Sequence, residues 1–226
     1  MANFNVGVVI FPDLTQLDFT GPLQVLARLP QSTTHIIAKT EAPVPSDCGL
    51  SLVPTRTFVD CPPLDLICVP GGVSGVIGAI SDRETVEFVR KQAQSARYVT
   101  SVCTGAFVLG IAGLLKGRRA TTHWGYTNLL PLVGATYEKA RIVKDGNLIT
   151  AGGVTSGIDF GLSVVAEIAG EATAQGIQLG IEYDPAPPFD AGNPDRAPAA
   201  VKEALCARYD KANSALREGI ECSVMS

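Results

Sequence analysis

Histidine is nearly absent from this chain: His35 and His123 are the only two in 226 residues. The six cysteines (48, 61, 68, 103, 206 and 222) contain no Cys-x-x-Cys pair. A structural zinc or a dithiol redox motif is therefore not expected. Basic runs are missing as well. Lys and Arg total 18 against 22 Asp and Glu, a formal net charge of −4, so no positive stripe awaits a nucleic acid backbone. No apolar run reaches the about 20 residues of a membrane span. The start, Met1-Ala2-Asn3-Phe4-Asn5, has neither the basic nor the apolar region of a signal peptide. No glycine-rich loop ends in Gly-Lys-Ser/Thr, which removes the phosphate-loop reading. Together these absences predict a reduced, cytoplasmic protein with no nucleic acid, no membrane and no metal among its partners.

What is present suits a full core: 46% of the residues are hydrophobic. Residues 6–11, 35–38, 64–69 and 97–102 are short, continuous apolar runs rich in β-branched side chains, the pattern of strands buried on both faces. Shorter strands are expected at 50–54 and 118–122, and a hairpin at 141–144 and 147–150 around Asp145-Gly146. Helices are expected at 15–29, 83–95, 106–115, 157–169 and 172–181. The alternation predicts an α/β fold with a largely parallel sheet covered on both faces. One domain spans 1–181. A Pro/Gly-rich arm follows at 184–198, then a terminal helix at 199–217, so that 182–226 wraps the body or a second subunit.

Cys103 lies where a strand runs straight into a helix, in Ser101-Val102-Cys103-Thr104-Gly105-Ala106. A helix start favours a thiolate. A fall from the usual thiol pKa of about 8.5 to about 6 makes thiolate the majority form at neutral pH. This reads as a nucleophile or redox thiol, or as a small buried hydrophobe. In open parallel sheets ligands bind beyond the carboxyl ends of the strands, where other features gather. Pro70-Gly71-Gly72-Val73 closes the strand at 64–69; its amides, with that of Thr104, form either an oxyanion cradle or a plain turn. Asp18 sits between Leu17 and Phe19 as an acid/base or a helix cap. At about 4 Å from a thiolate it would be repelled by about 4 kcal/mol at an effective dielectric of 20, so one proton would be shared by the pair. His123 is a second candidate base or the cap of a helix starting near Trp124. The linker Gly152-Gly153-Val154-Thr155-Ser156-Gly157 is small enough for its backbone to approach the thiol.

Pro70-Gly71-Gly72, Ser101-Val102-Cys103-Thr104-Gly105, Ala120-Thr121-Thr122-His123-Trp124 and Gly152-Gly153-Val154-Thr155-Ser156-Gly157-Ile158-Asp159 together resemble the ThiJ/PfpI superfamily, in order and spacing, over about residues 5–181. Gln16-Leu17-Asp18-Phe19-Thr20-Gly21-Pro22, Cys61-Pro62-Pro63-Leu64-Asp65 and the arm at 182–192 resemble the isocyanide hydratase family within it. The segment 73–78 is longer than that family's pattern. The resemblance implies a flavodoxin-like three-layer sandwich, similar to class I glutamine amidotransferases, working as a homodimer without a cofactor. It implies hydration of an isocyanide to the N-substituted formamide, with Cys103 as nucleophile and Asp18 as acid/base in place of the superfamily's usual glutamate. Gly72, Val73, Thr104, Val154 and Thr155 are the implied pocket. Two alternatives remain open: another superfamily activity, glyoxalase-like or thiol hydrolase, and a non-enzymatic cysteine redox sensor.

Overall fold

The continuous apolar runs become the middle of a sheet because side chains on both faces find cover. In the computed structural model, which describes residues 4–225, β1 (Phe4–Val9) is followed by α1 (Gln16–Leu26), β2 (Ser32–Ala38), β3 (Val44–Pro45), β4 (Ser51–Leu52), β5 (Arg56–Thr57) and β6 (Leu66–Val69). Then come α2 (Val73–Ser81), α3 (Arg83–Ala93), β7 (Tyr98–Val102), α4 (Gly105–Ile111) and β8 (Arg119–Ala120). A 3-10 helix (Trp124–Val133) leads to β9 (Thr136–Tyr137), the hairpin β10 (Ile142–Asp145) and β11 (Leu148–Ala151), and three helices: α5 (Ser156–Ala169), α6 (Glu171–Gly180) and α7 (Ala199–Met225).

The main sheet has the order β10-β11-β7-β6-β1-β2-β5. Every pairing in it is parallel except the β10–β11 hairpin, whose turn carries Gly146 at φ 64°. Helices α1 and α5 pack together on one side, and α2, α3 and α4 on the other. This is the expected α/β sandwich. Two local expectations change. The run at 50–54 stays outside the main sheet, as the β3–β4 ribbon. The run at 118–122 contributes only two strand residues, paired with β9.

Two features of α1 place Asp18. Pro22 sits inside the helix and supplies no N–H to the carbonyl four residues back, which is that of Asp18. Its ring instead packs on α5, where a Cβ on Gly157 would lie 2.8 Å from Pro22 Cδ. A Cβ on Gly161 would lie 2.9 Å from that of Val25. Side-chain-free positions thus let α1 and α5 approach closely, holding Asp18 and the residues before α5 on one side of the sheet. Helix α7 lies against α2 and the 3-10 helix, burying Leu216 and Ile220. Among the described residues no helix is long and apolar enough to cross a membrane.

Candidate active site

Three neighbouring parallel strands end side by side. Val69 of β6 is level with Ser101 of β7, and Val102 of β7 is level with Ala151 of β11. The residues just beyond them are Gly71-Gly72, Cys103 and the 152–155 linker. The chain leaves β1 for β2 on one side and returns at β6 on the other, so Asp18, after β1, faces these ends across the reversal of strand order.

Cys103 is 6% exposed and holds a left-handed backbone, φ 56°. A non-glycine residue pays for that conformation and keeps it only where its surroundings enforce it. Here they do. The Cys103 N–H donates to the carbonyls of Ala151 at 3.1 Å and Gly152 at 2.8 Å, and the Cys103 carbonyl accepts the Thr122 hydroxyl at 2.7 Å. The turn leaves the sulfur near enough to the Asp18 carboxyl and to the backbone amides of Thr104 and Val154 for each to shift its titration.

Asp18 is fully buried. Its Oδ2 accepts the Gly71 N–H at 3.0 Å, while Oδ1 is buried with no conventional hydrogen-bond partner. Loss of hydration pushes its pKa up to about 7; contact with Cys103 and the Gly71 amide pulls the other way, and the Asp47 charge adds slightly to the rise. The Cys103 thiol is raised well above its usual range, first by burial and then by the Asp18 charge, against the opposing Thr104 and Val154 amides. The expectation of a thiol depressed by the helix start is therefore overturned. Desolvation and a neighbouring carboxylate outweigh the end of a helix of seven residues. Both groups are raised by burial, and a charge on Asp18 raises the thiol further, so a second negative charge in the site is disfavoured.

The cradle also differs from the sequence reading. The Gly71 and Gly72 amides do not wait for an oxyanion. Gly71 donates to Asp18, and Gly72 donates to Thr104 Oγ1 at 3.0 Å. The two glycines are needed for approach instead. A Cβ on Gly71 would sit 2.6 Å from Thr104 N and 2.7 Å from Asp18 Oδ2, and Gly72 has φ 120°. The backbone amides that favour a charged sulfur are those of Thr104 and Val154. Thr104 is fully buried and half-buried Val73 opens α2. Thr155 is exposed, and its hydroxyl accepts from Arg141 Nη2 at 3.3 Å.

His123 is the cap. Its Nδ1 accepts the Gly125 N–H at 3.1 Å, opening the 3-10 helix. That bond requires an unprotonated Nδ1, so the neutral ring carries its proton on Nε2. Burial lowers its pKa to about 4. A neutral ring whose acceptor is occupied cannot take the thiol proton. Sequence reasoning missed Tyr126 and Tyr209, whose phenols both feel charge at Cys103. A lone tyrosine in a long polar helix carries no signal for this. Among the described residues, no group of three or more His, Cys, Asp or Glu is arranged to hold a metal ion.

The profile of the DJ-1/PfpI family matches residues 5–167. The isonitrile hydratase of Pseudomonas putida is 58% identical over 196 residues, 87% of this chain and 86% of that protein. A Parkinson disease protein 7 homolog of Danio rerio is 25% identical over 179 residues, 77% of this chain and 94% of its own. A crystal structure of a ThiJ/PfpI family protein from Pseudomonas syringae superposes with a TM-score of 0.95 at 42% identity, covering 97% of this chain and 91% of that one. A mutant of a DJ-1 superfamily protein from Salmonella typhimurium gives 0.73 at 26%, covering 81% and 100%.

Proposed function

The chain belongs to the DJ-1/PfpI family, and from that premise we propose that it hydrates isocyanides to N-substituted formamides through a thioimidate on Cys103. The likeness to the Pseudomonas putida isonitrile hydratase over most of both chains supports this activity. The observation that carries the chemistry is a buried carboxyl, balanced near pH 7, against a buried thiol with two backbone amides at its sulfur.

In the first step the Cys103 sulfur attacks the terminal carbon of R–N≡C while Asp18 takes the thiol proton. Asp18 then delivers that proton to the same carbon, giving the thioimidate Cys–S–CH=N–R. In the second step Asp18 draws a proton from water as its oxygen adds to the thioimidate carbon, and the nitrogen gains the proton. Collapse of Cys–S–CH(OH)–NH–R breaks the C–S bond and forms the formyl carbonyl, while Asp18 takes the hydroxyl proton and passes it to the sulfur. The sum is R–N≡C plus water giving R–NH–CHO, and no step calls for a metal or redox group. One carboxyl moves every proton, which suits a pKa near the working pH. The Thr104 and Val154 amides stabilise the sulfur whenever it carries charge. An uncharged substrate suits a site that tolerates a single negative charge.

His123 disfavours a Cys–His hydrolase, because its acceptor nitrogen is occupied. A sensor thiol needs thiolate character and access, and Cys103 is buried with a raised pKa. We place the enzyme in the cytoplasm as a homodimer; Leu50, Val53 and Val59 are exposed apolar side chains that a second copy can cover. The test is formamide production from phenyl or cyclohexyl isocyanide by the purified protein. Cys103→Ala and Asp18→Asn should each abolish it, and absence of turnover by the unaltered protein refutes the assignment.

A further inference from the structure

Four aromatic rings cluster just outside the acid–thiol pair. The His123 ring centroid is 5.7 Å from Trp124, 5.6 Å from Tyr126 and 5.5 Å from Tyr209. Tyr209 is in turn 5.6 Å from Trp124 and 5.7 Å from Tyr126. The cluster reaches the site through the linker before α5. A Cβ on Gly153 would lie 2.6 Å from His123 Cδ2, and the next residue, Val154, presents its amide to the sulfur. The phenols of Tyr126 and Tyr209 are both raised, first by burial, with charge at Cys103 contributing to each. These two phenols therefore stand within electrostatic reach of the nucleophile, and His123 and Trp124 join them through ring contacts.

Tyr209 comes from α7 and is held in place. Its ring covers Gly125, where a Cβ would lie 2.8 Å from Tyr209 Cδ2. One turn later, Asn213 Nδ2 donates to the Gly125 carbonyl at 2.9 Å and to Asn128 Oδ1 at 3.2 Å. Further along, Gly219 lies against Ile77 and Ile80 of α2, the helix that starts directly after Gly72. Helix α7 thus clamps one rim of the site to the other.

We propose that Tyr209 and Trp124, with His123 and Tyr126, form an aromatic subsite that makes the enzyme prefer isocyanides bearing an aryl substituent. This rests on the isocyanide reading above and names the substrate class within it. The C≡N–R unit is linear, so a substrate attacked at its terminal carbon projects its substituent away from the sulfur, toward the surrounding walls. A wall of rings gains most from another ring, since edge-to-face and offset contacts add to simple burial. The uncharged His123 ring offers no attraction to anionic substituents.

The test uses the full-length protein and two isocyanides of similar size, phenyl and cyclohexyl. In Tyr209→Leu, which keeps apolar bulk but loses the ring, the ratio of kcat/KM for phenyl over cyclohexyl should fall about three- to tenfold. In Tyr209→Phe the ratio should stay within about twofold of its starting value, since ring contacts rather than the hydroxyl set it. Trp124 is the only tryptophan and belongs to the cluster, so its fluorescence reports occupancy without catalysis. Formanilide should bind more tightly than N-cyclohexylformamide in that titration, and Tyr209→Leu should erase the difference. Equal losses for both substrates in Tyr209→Leu, an unchanged ratio, or no response of Trp124 to formanilide would each overturn the subsite. If the unaltered protein turns over neither isocyanide, the functional reading falls while the fluorescence difference still decides the subsite.

Discussion

Replacing Asp18 by Asn should stabilise this protein at neutral and alkaline pH while destroying its activity. The carboxyl is fully buried, and its pKa rises from 3.8 to about 7 in the folded protein. The folded state therefore holds the proton more tightly than the unfolded state. Between pH 3.8 and about 7 the folded form binds more protons at this site, so the Asp18 contribution to stability falls as pH rises through that window and is constant above it. A difference of about three pKa units corresponds to about 4 kcal/mol at 1.36 kcal/mol per unit. Asparagine carries no charge to desolvate, and its carbonyl oxygen can still accept the Gly71 N–H. Urea unfolding of both proteins at fixed concentration, at pH 4 and pH 8, measures the effect. Asp18→Asn should unfold at higher urea than the parent at pH 8, by up to about 4 kcal/mol, with most of that gain gone at pH 4. An advantage of the same size at both pH values, or a loss at pH 8, would show that Asp18 is not forced to bear an unfavourable buried charge.

The same titration should appear in catalysis: kcat/KM for an isocyanide should rise with pH through an inflection near 7, as the pair loses its first proton. In His123→Asn, which keeps a capping oxygen, that inflection should stay in place, because His123 is already neutral, with its pKa near 4. Gly71→Ala should lower the thermal midpoint and cost about 1–3 kcal/mol of stability, since its Cβ would meet Thr104 N at 2.6 Å. Thr104→Val should leave the buried Gly72 N–H without its acceptor, costing about 1–3 kcal/mol by urea unfolding, and Thr104→Ser should recover most of it.

The sheet was legible wherever strands are buried on both faces, since β1, β6 and β7 are dominated by apolar and β-branched side chains, and buried Thr100 of β7 pairs its hydroxyl with the Ile67 carbonyl. Helix α2 was not legible, because Val73-Ser74-Gly75-Val76-Ile77-Gly78 mixes β-branched residues with glycine. It folds because Gly75 fits against the Pro12 carbonyl, 2.6 Å from its would-be Cβ, a contact no local pattern announces. The start of the 3-10 helix was legible through its cap, His123, but its extent was not, because Gly125 and Pro131 read as breakers. At the site, the placement of Cys103 after β7 and of Asp18 after β1 was legible, because both follow directly from the strand order. The direction of the thiol shift was not, because a helix start is visible in sequence but the depth of burial around it is not. The glycine amides were likewise misread as free, because their acceptors, Asp18 and Thr104, lie far off in sequence. Tyr209 depends on how α7 docks, which its largely polar surface does not disclose.

The most direct measurement is rapid mixing with phenyl isocyanide, acid quench within the first turnover, and intact-mass and peptide analysis. A transient adduct equal in mass to one isocyanide should form on the peptide containing Cys103, be absent from Cys103→Ala, and decay as formanilide appears. Formanilide formed at the full rate by Cys103→Ala, with no adduct on any cysteine, would contradict the thioimidate route.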